Sequence, residues 1–401
     1  MKKIDAERYH PLYFLSSLGA GGLAISFFVY FLFLVEHPDT PLVTFDDLAA
    51  AWQAADWPIR GLMVAGLSGL LALSLLHYRL LVWNLIQYRR YRHSEAFAKL
   101  RRSSGEIALM AIPLTLAMSI NVIFVVGAVF VPGLWDFVES LFPIALIGFL
   151  AVGFYALKLY GTYLSRMITT GTFDSVANAS LSQLVPIFTF AMIAVGFAAP
   201  GAMSREVEVR AIGIFLSIFF LSLAMLLGFV KLVLGMGSML RHGLDVVASP
   251  SIWIVIPILT LFGIAAIRLT MGLHHGFEAP VSHPGLFVLT SSIFSLEILF
   301  GMIGYVVMRQ MGYFRDYLLG DKTHPGAYAL VCPGVAFFVF GMFWIMFGLV
   351  QNGLVERLSL IFVLLMLPLT WVQFKSLTTL LRLNRKLLTS SYAAMATSDL
   401  R

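Results

Sequence analysis

The sequence predicts an all-α polytopic membrane protein with ten transmembrane helices, and three observations carry that prediction. Only 12% of the 401 residues are charged, about half the share found in a soluble domain. Mean hydropathy is +0.89. Apolar runs of roughly 20 residues or more, the length a helix needs to cross the hydrocarbon core, recur from end to end.

The spans follow in order. MKKIDAERYHPLYFLSSLGAGGLA places basic residues before an apolar run, as a signal peptide does. The run continues through FFVYFLFLV with no small-x-small cleavage site, so it reads as a first membrane helix over roughly 9–35. Further apolar runs predict spans at roughly 58–83, 106–131, 135–158, 179–200, 207–236, 250–273, 284–310, 325–351 and 354–382. The chain reads as one domain over 1–401. It has an outer loop at 36–57, a basic cytoplasmic segment at 84–105 and a cytoplasmic tail at 383–401.

Charge orients these spans. With the N-terminus inside, all but Arg60, Arg205, Arg210, Arg268 and Arg357 of the 27 lysines and arginines fall on the cytoplasmic side. The first outer loop, EHPDTPLVTFDDLAAAWQAAD, has no basic residue. An integral membrane protein with both termini cytoplasmic is expected, in a bacterial inner membrane. The net charge of +6 is then explained by topology and by anionic headgroups beside QYRRYRHSEAFAKLRR, so nucleic acid is not an expected partner whereas membrane lipid is.

A single cysteine excludes a disulfide framework, and no zinc pattern, phosphate loop, nucleotide fingerprint or haem-attachment motif is present. No cofactor is expected. The segment HHGFEAPVSH, with His274, His275, Glu278 and His283, lacks metal-ligand spacing and reads as a solvated loop.

A proline repeat suggests how the spans pack. ALMAIPLTLA, SQLVPIFTFA, IWIVIPILTLF and ALVCPGVAFF hold Pro113, Pro186, Pro257 and Pro333, at intervals of 73, 71 and 76 residues. That interval suits a hairpin that crosses the membrane twice. Pro11 is a weaker member in the first span. Each proline lacks an N–H and crowds the carbonyl four residues back, which predicts a kink in every odd span and an unpaired carbonyl at Ala329 and Ser182. Such breaks belong against protein or water rather than lipid. The odd spans are therefore expected around an axis and the even spans outside them. Ser103-x-x-Glu106 reads as a capping box, and Ser249-Pro250 as N-cap and first helical residue.

At this point the chain resembles the TehA-like anion channels of the tellurite-resistance and dicarboxylate transporter family. The resemblance rests on span number, orientation, the odd-span prolines, LYGTYLSRMITTGTFD before the fifth span and YALVCPGVAFFVFGMFW in the ninth. It implies five helical hairpins around a quasi-fivefold central pore, odd helices inside, in a homotrimer with one pore per subunit. It also implies a small inorganic or carboxylate anion as the transported species and no enzymatic activity. In that family an aromatic residue before a proline or glycine of the ninth helix plugs the pore, and Cys332 occupies that position here. Within the family the chain is similar to the TsoY subgroup, which is associated with cysteine or selenocysteine.

The candidate pore and gate residues are Cys332 and Pro333 with Pro11, Pro113, Pro186 and Pro257. The residues before the other prolines, His10, Ile112, Val185 and Ile256, are expected at comparable depth. Phe188, Phe190, Phe262, Phe337 and Phe338 could supply a substitute plug, and an apolar constriction can gate by dewetting. Glu297, near the middle of the eighth span, is costly without a partner; Arg268 is one candidate if it reaches inward, and the alternative role for Arg268 is to attract anions at the outer mouth. Thiol chemistry at Cys332 and a membrane sensor are the alternatives. The thiol reading lacks an evident base or second thiol.

Overall fold

The computed structural model describes residues 1–171 and 179–389. The last residues of LYGTYLSRMITTGTFD and most of the expected tail lie outside the described residues. The described chain is helical, with no strand among the described residues, and ten helices are long and apolar enough to cross a membrane. These are span 1 (Pro11–Leu34), span 2 (Trp57–Tyr91), span 3 (Ser104–Phe130), span 4 (Leu134–Thr170), span 5 (Leu181–Met203), span 6 (Val207–His242), span 7 (Ser249–Gly276), span 8 (His283–Gln310), span 9 (Pro325–Val350) and span 10 (Leu360–Leu388).

Several even spans run beyond their apolar cores. Span 2 continues helical into the basic segment 84–105, which also holds the short helix Glu95–Arg101. The 36–57 loop holds a further helix, Phe45–Ala54, started by a capping box between Thr44 and Asp47.

Burial alternates along the chain. In the most apolar window of each odd span 61–94% of residues are buried, against 22–33% in the even spans. Contacts explain the difference. Each odd span packs against the next, 1 on 3, 3 on 5, 5 on 7 and 7 on 9, and span 9 returns to span 1. Each even span packs on the odd span before it. The seam between the chain's ends is tied by a hydrogen bond from Lys2 N to Leu388 O, 2.9 Å. Both ends therefore share one face, called the terminal face below, and the 36–57 loop lies on the opposite, loop face.

The prolines do something other than kink a continuous α-helix. Every odd span opens with a 3₁₀ segment: Pro11–Tyr13, Ser104–Met110, Leu181–Leu184, Ser249–Ile254 and Pro325–Leu330. The α-helical part follows, and Pro113, Pro186, Pro257 and Pro333 each stand within its first three residues. A 3₁₀ carbonyl bonds three residues ahead rather than four, so the carbonyl four residues before the proline does not need the missing N–H, and Ser182 O accepts from Val185 N. Pro11 differs, because it opens the 3₁₀ segment itself, as Pro325 does in span 9.

The caps differ from expectation too. Ser103 accepts from Gly105 N at 3.2 Å, but Glu106 turns to Arg101 and Arg166, at 2.5 and 2.6 Å, instead of closing a capping box. Ser249 donates back to Val246 O at 2.7 Å rather than capping. Ser180, His10 and His324 each accept the N–H two residues on, at 3.3, 3.2 and 3.0 Å.

Spans 5, 6 and 7 meet at bare backbone. A Cβ on Gly213 would stand 2.8 Å from Gly201 N and 2.9 Å from Phe197 O, and one on Gly272 would stand 2.5 Å from Gly201 O. Backbone cannot move aside as a side-chain tip can. Gly213→Ala and Gly272→Ala should each cost about 1–3 kcal/mol, read as a lower melting temperature in detergent. Gly61→Ala, in open space on span 2, should leave the melting temperature unchanged or raise it.

Candidate functional site: a cavity within the odd spans

Inside the odd spans lies a cavity of about 770 Å³. All five odd spans line it, and span 4 adds Phe142, Ala145 and Phe149. Toward the loop face it reaches Glu36, His37 and Pro38 of the 36–57 loop, together with Gln351 and Arg357. The far end of span 9 is wound as a π-helix over Trp344–Val350, and Met346 and Phe347 of that turn face the cavity. Single π turns re-aim side chains in this way and recur at functional sites.

The opposite end is set by helix depth. Leu18, Phe188, Pro257 and Cys332 are the lining residues nearest the terminal face on their spans, each seven or eight residues from the span's start. On span 3 the residue at that depth, Ile112, is buried in the wall, and the first lining residue is Met118. Below this level the five 3₁₀ segments close the terminal face.

Of the residues singled out in the sequence, Cys332, Pro257, Arg268 and His275 line the cavity, and His274 and His275 stand in the last turns of span 7's helix rather than in a solvated loop. Pro113, Pro186, Pro333, Val185 and Ile256 are buried in the surrounding packing without lining it. His10 is not level with Cys332. It caps the 3₁₀ start of span 1 at the terminal face, 6.3 Å centroid to centroid from His324, which caps span 9. The reason is that His10–Pro11 corresponds to His324–Pro325 and not to Cys332–Pro333. Among the aromatics, Phe188 lines the cavity. Phe190 points to Tyr160 and Phe220, Phe337 stacks on Phe294, and Phe338 packs on Tyr30. Phe262 is half-buried outside the lining.

Arg268 and Glu297 do not pair. Arg268 donates from Nη1 to Val195 O at 3.0 Å and otherwise faces the cavity. Glu297 accepts from Thr260 Oγ1 at 2.6 Å, and its Oε2 is buried without a partner among the described residues. Thr260 lies eight residues before Arg268 on span 7, two turns or about 12 Å along the helix, which separates the two charges.

Three features escaped sequence reasoning. Thr260 lines the cavity between Glu297 and the open space. Arg357 stands at the loop-face mouth with its Nε buried and unpartnered among the described residues, next to Leu358, which holds a left-handed φ of 63° that leucine rarely adopts. Met118, Met192, Met203, Met271 and Met346 bring thioether sulfur to the same wall as the Cys332 thiol. Thr260 carried a signal, since a threonine follows Pro113, Pro186 and Pro257 by two or three residues. The methionines carried none, because methionine on an apolar helix is ordinary packing.

Among the described residues no cluster of histidine, cysteine, aspartate and glutamate could hold a metal ion. His274 faces Ala279 O at 2.8 Å and His275 faces Ala202 O at 3.4 Å. No protein-family model, curated protein or solved structure matches the chain. Fold and cavity define an integral membrane protein with ten apolar helices.

The His10 cap carries a pH dependence. Burial, and then the neighbouring His324, lower His10 from 6.5 to about 4. Burial also lowers His324, opposed by Asp245. The folded chain therefore binds fewer protons than the unfolded chain between about pH 4 and 6.5. The stability due to the neutral cap is full above that window and is lost as pH falls through it. The melting temperature should drop from pH 6.5 to 4, and His10→Asn, which caps without titrating, should reduce the drop.

Proposed function

We propose that this protein is a channel or transporter for a small anion. In this reading the five span pairs form five hairpins with quasi-fivefold order, and the anion passes between the odd spans. The observation that carries it is Arg268. A guanidinium has five N–H donors, and this one gives a single bond to backbone while facing a cavity that all five odd spans wall. Arg357 adds positive charge at the mouth, against Glu36 as the one acidic lining residue among the described residues. Cationic residues in a low-dielectric cleft concentrate anions.

The rest of the wall is mainly apolar, including Leu18, Phe28, Val29, Leu261, Ile264 and Val339. Such a wall favours anions that shed water readily, nitrate or thiocyanate over sulfate. Closure lies at the level of Phe188 and Cys332, where the nearby aromatic of span 5 stands in for the one that position 332 lacks. The terminal face, which holds Arg101, Arg166 and the basic stretch of span 2, is cytoplasmic in this reading. The membrane is a bacterial inner membrane, and the assembly a homotrimer.

The test is anion uptake by proteoliposomes. Nitrate and chloride uptake should exceed sulfate uptake. Arg268→Gln should lower nitrate uptake about tenfold. Cys332→Phe, or a small thiol reagent on the wild type, should block uptake, and Cys332→Ala should preserve or raise it. Folded protein that moves none of these anions, with Cys332 still alkylated, would overturn the reading in favour of thiol chemistry at that residue.

A further inference from the structure

Thr260 departs from the pattern of its counterparts. Thr115 of span 3 shares its hydroxyl proton between Ala111 O of its own helix, at 2.7 Å, and Phe14 O of span 1, at 3.2 Å, and Thr189 of span 5 shares its own between Val185 O, at 2.9 Å, and Met110 O of span 3, at 3.0 Å. Each of these hydroxyls fastens its span to the odd span before it. Thr260 of span 7 donates instead to Glu297 Oε1 at 2.6 Å, on the outer span 8, while still lining the cavity.

Glu297 is fully buried and its second oxygen has no partner among the described residues. Span 8 packs against span 7, including its 3₁₀ start, and against span 9. The titratable side chains of those two spans are Arg268, His274 and His275 of span 7, and Cys332 and Tyr328 of span 9, the last donating to Asn384 Oδ1 at 2.9 Å. Arg268 bonds to Val195 O, and His274 and His275 face the carbonyls of Ala279 and Ala202. No cation pairs with this carboxylate among the described residues, and a bare carboxylate away from water is costly. The low-cost way to hold that side chain is with a proton on it.

From this geometry we infer that Glu297 is a proton-binding site joined to the cavity through the Thr260 hydroxyl, and that the protein carries a proton with its anion. The inference rests on the anion-transport reading. A proton arriving from cavity water binds Thr260 Oγ1 as that hydroxyl's own proton passes to Glu297 Oε1. The hydroxyl is restored and the carboxyl is left neutral. The reverse transfer returns the proton to the cavity. A monovalent anion moving with one proton transfers no net charge.

The test uses full-length protein in liposomes containing a pH-sensitive dye, with nitrate added outside and the membrane potential clamped. Wild type should acidify the lumen as nitrate enters, and Glu297→Gln should take up nitrate without acidification. Thr260→Val should also lose at least tenfold in the rate of acidification, and Thr260→Ser should restore it. These variants keep the inference testable if Glu297→Gln fails to fold. Wild-type nitrate uptake without acidification overturns the proton site and leaves anion transport standing, as does undiminished acidification by Glu297→Gln. Absence of nitrate uptake by the wild type overturns both.

Discussion

The whole arrangement depends on backbone satisfaction at the terminal-face ends of the odd spans. A buried N–H or carbonyl without a partner costs free energy that hydrocarbon cannot return. Five helices that begin in protein interior each need a start that leaves few such groups open. The chain meets this with one device used repeatedly: a capping side chain or short turn, a 3₁₀ segment, and then a proline in the first α-helical turn of four of the five. The five starts draw together into a closed floor, and the α-helical parts beyond them stand around open space.

Charge within this frame follows from the floor. With the terminal face closed, polar side chains lining the cavity are reached from the loop face, where Arg357 and Glu36 stand, and Arg268 lies deeper along span 7. Glu106, by contrast, sits among the terminal-face starts and is held by two arginines. Glu106 is neutralised where it stands, whereas Arg268 turns toward the cavity with donors left over. The unpaired Glu297 belongs to neither end, because Thr260 is its single partner among the described residues.

Much of the fold was legible in the sequence because span length and apolar density are read directly from composition. The boundaries of spans 1, 3, 5 and 7–9 lie within about three residues of those expected. Spans 2, 4 and 6 ran long, with Arg89, Arg90 and Arg241 on helical ends beyond the apolar runs of spans 2 and 6, and span 10 lies six residues further along the chain than expected, at Leu360–Leu388. The proline spacing located a real structural boundary, yet its nature was misjudged: a kink and a 3₁₀-to-α transition leave the same mark in sequence. The histidines show the limit of aligning on one residue type, since His10 matched Cys332 by proline alone and His324 by the full His-Pro pair. Which face of a helix meets the cavity was not legible at all. Phe188 and Phe190 differ by two positions, and rotation alone sends one to the cavity and the other to Tyr160 and Phe220.

The hydrogen bond between Lys2 and Leu388 bears on how the molecule is made. The first span out of the ribosome must wait beside an incomplete wall until the ninth and tenth arrive to meet it. Until then the ring is an open arc whose interior is bounded on one side by lipid.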